Sequence, residues 1–158
     1  MRLFRRDRRE PGSEPTEDGP AEGLPDDAGS DEPVEAISAA RLGPAERERI
    51  EVALADLAEA GIDVDDLGSL SAAFDAAVDR EDPSALPMLA VGVGEYLHRH
   101  ADLRWAVVID SFGRDLGLEG RRRVLHIVPD SLLSARWMRR EKGWLDGAVR
   151  HLADTSAR

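Results

Sequence analysis

The stretch VIDSFGRD gathers Asp110, Ser111, Arg114 and Asp115 around one bend, and His126 follows in the next apolar run. Carboxylates and an imidazole brought within reach of each other can do acid–base work, and Ser111, His126 and Asp115 have the residue types of a hydrolytic triad. The Gly-x-Ser-x-Gly elbow is missing, and no oxyanion hole is visible in the sequence. Glu95, on a helical stretch ahead of the bend, adds a further acid. The structural reading is preferred for this group. Asp110 then braces the loop as an Asx turn, and Asp115 pairs with Arg or His. Structural ion pairs perturb titrations as active sites do, so a cluster alone does not make a site.

These residues must be positioned by strands. A four-residue loop over Ser111–Arg114 sets Asp110 opposite Asp115, Ile109 opposite Leu116 and Val107 opposite Leu118, with Trp105 on the same face. Gly113 supplies the unusual backbone such a loop often needs. The following strand, RVLHIV, places Leu125 and Ile127 with the apolar face. His126 then lies opposite Asp115 or opposite Gly117. Either way Asp110, Asp115 and His126 share the second sheet face, and a small polar pocket over Gly117 is the functional alternative.

Three helices precede the sheet. Pro44 opens the first, with Ile50, Leu54 and Leu57 at helical spacing and Gly61 at its end. The second follows Ser69, with Leu70, Phe74 and Val78 on one face, and Asp82-Pro83 ends it. The third, from about Ser84, is the most buried. Its Gly92 and Gly94 each weaken a helix by about 1 kcal/mol, which points to close backbone contact with another element. After Val128-Pro129, Asp130 or Ser131 caps a helix that Gly143 breaks, and a second amphipathic stretch begins at Trp144. Trp137 and Trp144 are expected in the core or against each other.

A second group of candidates is basic. Arg121, Arg122 and Arg123 lie at a hairpin tip, and Arg136, Arg139, Arg140 and Lys142 follow on the next helix. With Trp137 they could form one surface for an acidic protein, a small anionic ligand or the chain's own acidic run. The whole chain carries a net charge of −11, which argues against general DNA binding because like charge repels phosphate. Residues 10–35 hold ten acids and no base, almost without large apolar side chains. Residues 1–40 therefore read as a disordered tail, and 41–158 as a single domain. Arg2, Arg5, Arg6, Arg8 and Arg9 allow weak contact with anionic lipid. No apolar run is long enough for a membrane span, and the absence of cysteine fits a reducing, cytoplasmic setting. His98 and His100, two apart on a helix, cannot chelate one metal as an i, i+4 pair can. No metal or cofactor is expected.

The segments LAVGVGEYLHRH, LRWAVVIDSFGRDLGL and VLHIVPDSLLSARWMRREKGWLDGAVRHL resemble an uncharacterised family of small bacterial proteins, widespread in high-GC Gram-positives and catalogued as a domain of unknown function. The matching positions are Glu95, Trp105, Asp110, Gly113, Asp115 and Pro129. The resemblance implies a fold and carries no assigned chemistry.

The expected architecture is α+β: three N-terminal helices, a three-stranded antiparallel meander and a broken C-terminal helix. The expected function is a non-catalytic cytosolic binding or regulatory module. The alternatives are a small hydrolase-type enzyme using the Asp/His cluster and a peripheral membrane protein anchored by its basic start.

Overall fold

Three glycine- or turn-bounded helices wrap one face of a sheet because each presents an apolar stripe that its neighbours can cover. The computed structural model describes residues 37–121 and 125–156. Residues 1–36, Arg122 and Arg123 lie outside the described residues, and with them the expected tail and the membrane contact through Arg2–Arg9. The first strand, β1 (Ser38–Ala40), precedes α1 (Pro44–Glu59). Glu46 accepts the Gly43 N–H at 2.9 Å, which satisfies a helix-entry donor. Ile50 and Leu57 face the core. The chain leaves α1 through Gly61 at φ +71°, a left-handed position that costs glycine little. Asp66 caps α2 (Leu67–Arg80) by accepting the Gly68 N–H at 2.9 Å. A single 3₁₀ turn over Pro83–Ala85 leads into α3 (Leu86–His100).

The central position of α3 explains its composition. It packs against α1, α2, both later helices and the sheet. Nine of its residues are buried, Gly92 and Gly94 among them, so side chains on most of its circumference meet protein. A Cβ on Gly92 would meet Leu70 Cδ2 at 2.8 Å, and one on Gly94 would meet Trp105 Cη2 at 2.1 Å. The two glycines thus let α2 and the sheet approach the helix backbone, the close contact their sequence context demands.

The sheet is antiparallel in the order β1-β2-β3-β4, with β2 at Leu103–Asp110, β3 at Gly113–Gly120 and β4 at His126–Ile127. It has four strands, one more than the meander expected from sequence. The extra strand is β1, whose three residues the sequence reading placed in the tail; they pair with Val107, Val108 and Ile109. The β2–β3 loop holds two residues rather than four. Asp110 lies opposite Gly113, and Asp115 opposite Val108. His126 lies opposite Glu119, not Asp115 or Gly117.

Each shift is by an even number of residues, so side-chain parity is preserved. Trp105, Val107, Ile109, Leu116, Leu118 and Ile127 therefore still share the face expected of them. Leu118 and Val107 are fully or almost fully buried there.

Two helices close the domain, α4 (Pro129–Met138) and α5 (Leu145–Ser156). The N-cap of α4 is Val128 with Pro129 at the first position, so Asp130 lies in the first turn rather than at the cap. The helix ends at Met138, before Gly143 is reached; Gly143, at φ +68°, belongs to the link. Phe74, Leu133, Leu145 and Val149 meet between α2, α4 and α5, all fully buried. Trp144 packs edge-on against Phe74 with ring centroids 5.6 Å apart. Trp137 also packs against this core, as expected.

Candidate functional site

The new register separates the acid–base candidates. Asp110 Oδ1 accepts the Phe112 N–H at 2.8 Å and the Gly113 N–H at 3.1 Å, so its carboxylate closes the turn. Asp115 and His126 share the sheet face opposite the helices with Asp110, but His126 pairs across to Glu119, four residues beyond Asp115. At strand rise that is a separation of about 13 Å along β3. The space over Gly117 is filled: a Cβ there would meet Val108 Cγ2 at 2.6 Å and the Ile127 carbonyl at 2.7 Å.

Glu95 is on the helix side of the sheet. It is 9 % exposed and sits between two donors. The Trp105 indole N–H donates to its Oε2 at 2.9 Å, and Arg99 Nε donates to its Oε1 at 2.7 Å. Arg99 reaches on to Asp65 at 2.7 Å, and His100 donates to the same carboxylate at 3.1 Å. The His100 hydrogen bond, then the Arg99 charge, hold the Asp65 carboxyl below its ordinary range against the opposing pull of burial. This chain of contacts runs from core to surface and locks the Trp105 ring onto Gly94. Glu95 thereby holds the Trp105 ring and the Arg99 side chain in place.

The described basic candidates are engaged in clasps. Arg136 pairs with Glu141 and lies over the Trp144 ring at 5.1 Å. Arg139 approaches Glu141 at 3.8 Å. Arg140 meets Glu81 at 2.6 Å, and Lys142 meets Asp79 at 2.7 Å. Gly143 N–H donates to Asp75. The link after α4 is thus fastened to the acidic C-terminal half of α2. Glu81 and Arg140 each finish a helix in the left-handed region, at φ 54° and 53°. Their hydrogen-bonded pairing pulls the Glu81 carboxyl down and the Arg140 guanidinium up. Arg121 lies 4.0 Å from Asp102. Surface pairs of this kind contribute roughly 0–1 kcal/mol each, yet among the described residues each of these cations has an acidic neighbour.

Uncompensated charge gathers elsewhere. Where β1 leaves the sheet after Ala40, a cleft of about 440 Å³ opens between the departing chain and β2. Arg41, Arg47, Arg104, Trp105 and Glu119 line it. Arg104 pairs with Glu119 at 2.9 Å, and Arg47 donates to the Leu42 carbonyl at 3.0 Å. Among the described residues, neither Arg41 nor Arg47 has a carboxylate partner. Planar guanidinium forks at such a spot suit carboxylate or phosphate oxygens. Sequence reading missed this site because Arg41 and Arg47 join Arg104 only through the pairing of β1 with β2. No local signal brings residues some sixty positions apart together.

No curated protein and no solved structure matches the chain. Residues 66–146 match a family described as "Domain of unknown function (DUF3806)", a span running from the cap of α2 into the first turn of α5. It contains Glu95, Trp105, Arg104 and Glu119, hence the sheet wall of the cleft, while Arg41 and Arg47 precede it. With more than half its length in that match, the chain belongs to the DUF3806 family.

Proposed function

We propose that the domain is a non-catalytic binding module, acting in the cytosol, whose ligand presents an anionic group to the cleft beside β2. The observation that carries this reading is the convergence of Arg41, Arg47 and Arg104 on one cleft where, among the described residues, Glu119 is the single carboxylate. Two other features favour binding over hydrolysis. Glu95 is committed to Trp105 and Arg99 on one side of the sheet, and Asp110, Asp115 and His126 are spread over the other. The composition, free of cysteine, suits a reducing compartment.

Calorimetric titration of the full chain with inorganic phosphate at low salt tests the reading. Saturable binding is expected, weakened about tenfold or more in an Arg41→Ala/Arg47→Ala variant, since a charge-assisted hydrogen bond contributes about 1.5–3 kcal/mol. An Arg121→Ala/Arg139→Ala variant removes equal charge outside the cleft and is expected to bind as the parent does. Equal losses in both variants, or no saturable heat in the parent, would overturn the proposal.

A further inference from the structure

We infer that the occupant of the arginine cleft is an extended peptide segment bearing a carboxylate side chain, added as a strand to the open edge of β2; this rests on the cleft being a ligand site. The ladder itself supplies the argument. Arg121 N–H donates to the Asp102 carbonyl in register with the β2–β3 pairing. In an antiparallel ladder that turns the peptide groups of even-numbered β2 residues toward β3 and those of odd-numbered residues toward β1. β1 satisfies Ile109 and Val107 through Ser38 and Ala40, then departs. Leu103's carbonyl lies 3.1 Å from His98 Nδ1. Trp105 is the residue left between them, with both its N–H and its C=O turned toward the cleft its own residue lines.

A paired residue on an added strand exchanges two hydrogen bonds with such a position. The edge is already rigid, because the Trp105 side chain is fixed by Glu95 and seated on Gly94. Pre-organisation of this kind lowers the entropic cost of binding. The flanking guanidiniums of Arg41 and Arg47 supply charge complementarity for an acidic side chain on either side of the paired residue. The volume of about 440 Å³ falls among ordinary ligand pockets, so the segment held is short.

The probe is the capped pentapeptide acetyl-Ala-Asp-Val-Asp-Ala-amide, titrated into the full chain beside a copy in which every backbone amide is N-methylated. The copy keeps both carboxylates and loses every strand-forming donor. The unmethylated peptide is expected to bind saturably, to move the Trp105 backbone amide signal downfield, and to bind about tenfold more tightly than the methylated copy, the loss expected for one hydrogen bond. Equal affinity of the two peptides would overturn strand addition and leave the cleft as a charge site alone. A peptide that fails to bind while inorganic phosphate saturates the cleft would overturn it likewise. Failure of both probes would instead remove the cleft reading beneath it.

Discussion

Gly94→Ala is expected to destabilise the domain by about 2 kcal/mol, although alanine is the better helix former. Helix propensity alone favours the substitution by about 1 kcal/mol. Against it, the new methyl carbon would lie 2.1 Å from Trp105 Cη2, 2.7 Å from Cζ2 and 2.9 Å from Cζ3. These atoms belong to one rigid ring, and the ring cannot swing clear without leaving Glu95 Oε2. Overpacking commonly costs about 1–3 kcal/mol and sometimes more, and a contact this short belongs at the upper end.

Two comparisons isolate the cause. Gly92→Ala meets only the methyl tips of Leu70 and Leu57, at 2.8 and 3.0 Å, which can rotate aside; its effect is expected to stay within about 1 kcal/mol of zero. Trp105→Leu in the Gly94→Ala background is expected to recover about 1 kcal/mol or more relative to additive losses, as contacting sites do. Urea denaturation of the parent, the three single variants and the double variant measures all of these values. Additive losses would show that the glycine serves some purpose other than seating the indole.

Glu95→Leu is expected to cost about 2–3 kcal/mol, the penalty for leaving a buried donor without its acceptor. Two donors lose their partner: the part-buried Trp105 indole N–H and Arg99 Nε. Arg99 keeps Asp65 and has a side chain 41 % exposed, so water compensates part of its loss. The indole N–H is part-buried and loses its only acceptor in the described structure, so its orphaning dominates. Glu95→Gln keeps an oxygen for the indole and removes only the charge facing Arg99; about half the loss is expected, because an ion pair with one exposed partner is worth little. The same denaturation series decides the point, and a glutamine variant as unstable as the leucine one would assign the loss to charge rather than to the indole.

The face of each β2 and β3 residue could be read from the sequence because apolar alternation settles parity, and parity survives a shift of two. Loop length could not. A four-residue and a two-residue loop place Trp105, Val107, Leu116 and Leu118 on the same face, and only the Asp110–Gly113 pairing separates them. The turn role of Asp110 was legible for a local reason, since the N–H groups that donate to it lie two and three residues away. Gly92 and Gly94 announced close packing without naming the partner, which is Trp105 in one case and a leucine pair in the other.

The candidate site was less legible. Ser38, Ala39 and Ala40 lack the branched and aromatic side chains that mark strands, and they become one only by pairing with β2. Without β1 there is no cleft, and Arg41 reads as a linker residue. The basic run after residue 120 looked like an open surface because its acids lie far off in sequence, Glu81 59 positions from Arg140 and Asp79 63 from Lys142.

Trp105 has two N–H groups with opposite expected behaviour, and one nitrogen-15 correlated spectrum of the full chain, followed during titration with inorganic phosphate, reports both. The backbone amide, turned toward the cleft, is expected to shift saturably together with the side-chain signals of Arg41 and Arg47. The indole N–H, held on Glu95, is expected to keep its position and to exchange slowly with solvent. A stationary backbone amide, or an indole that exchanges as fast as an exposed one, would contradict an anchored tryptophan offering its backbone to an anionic ligand.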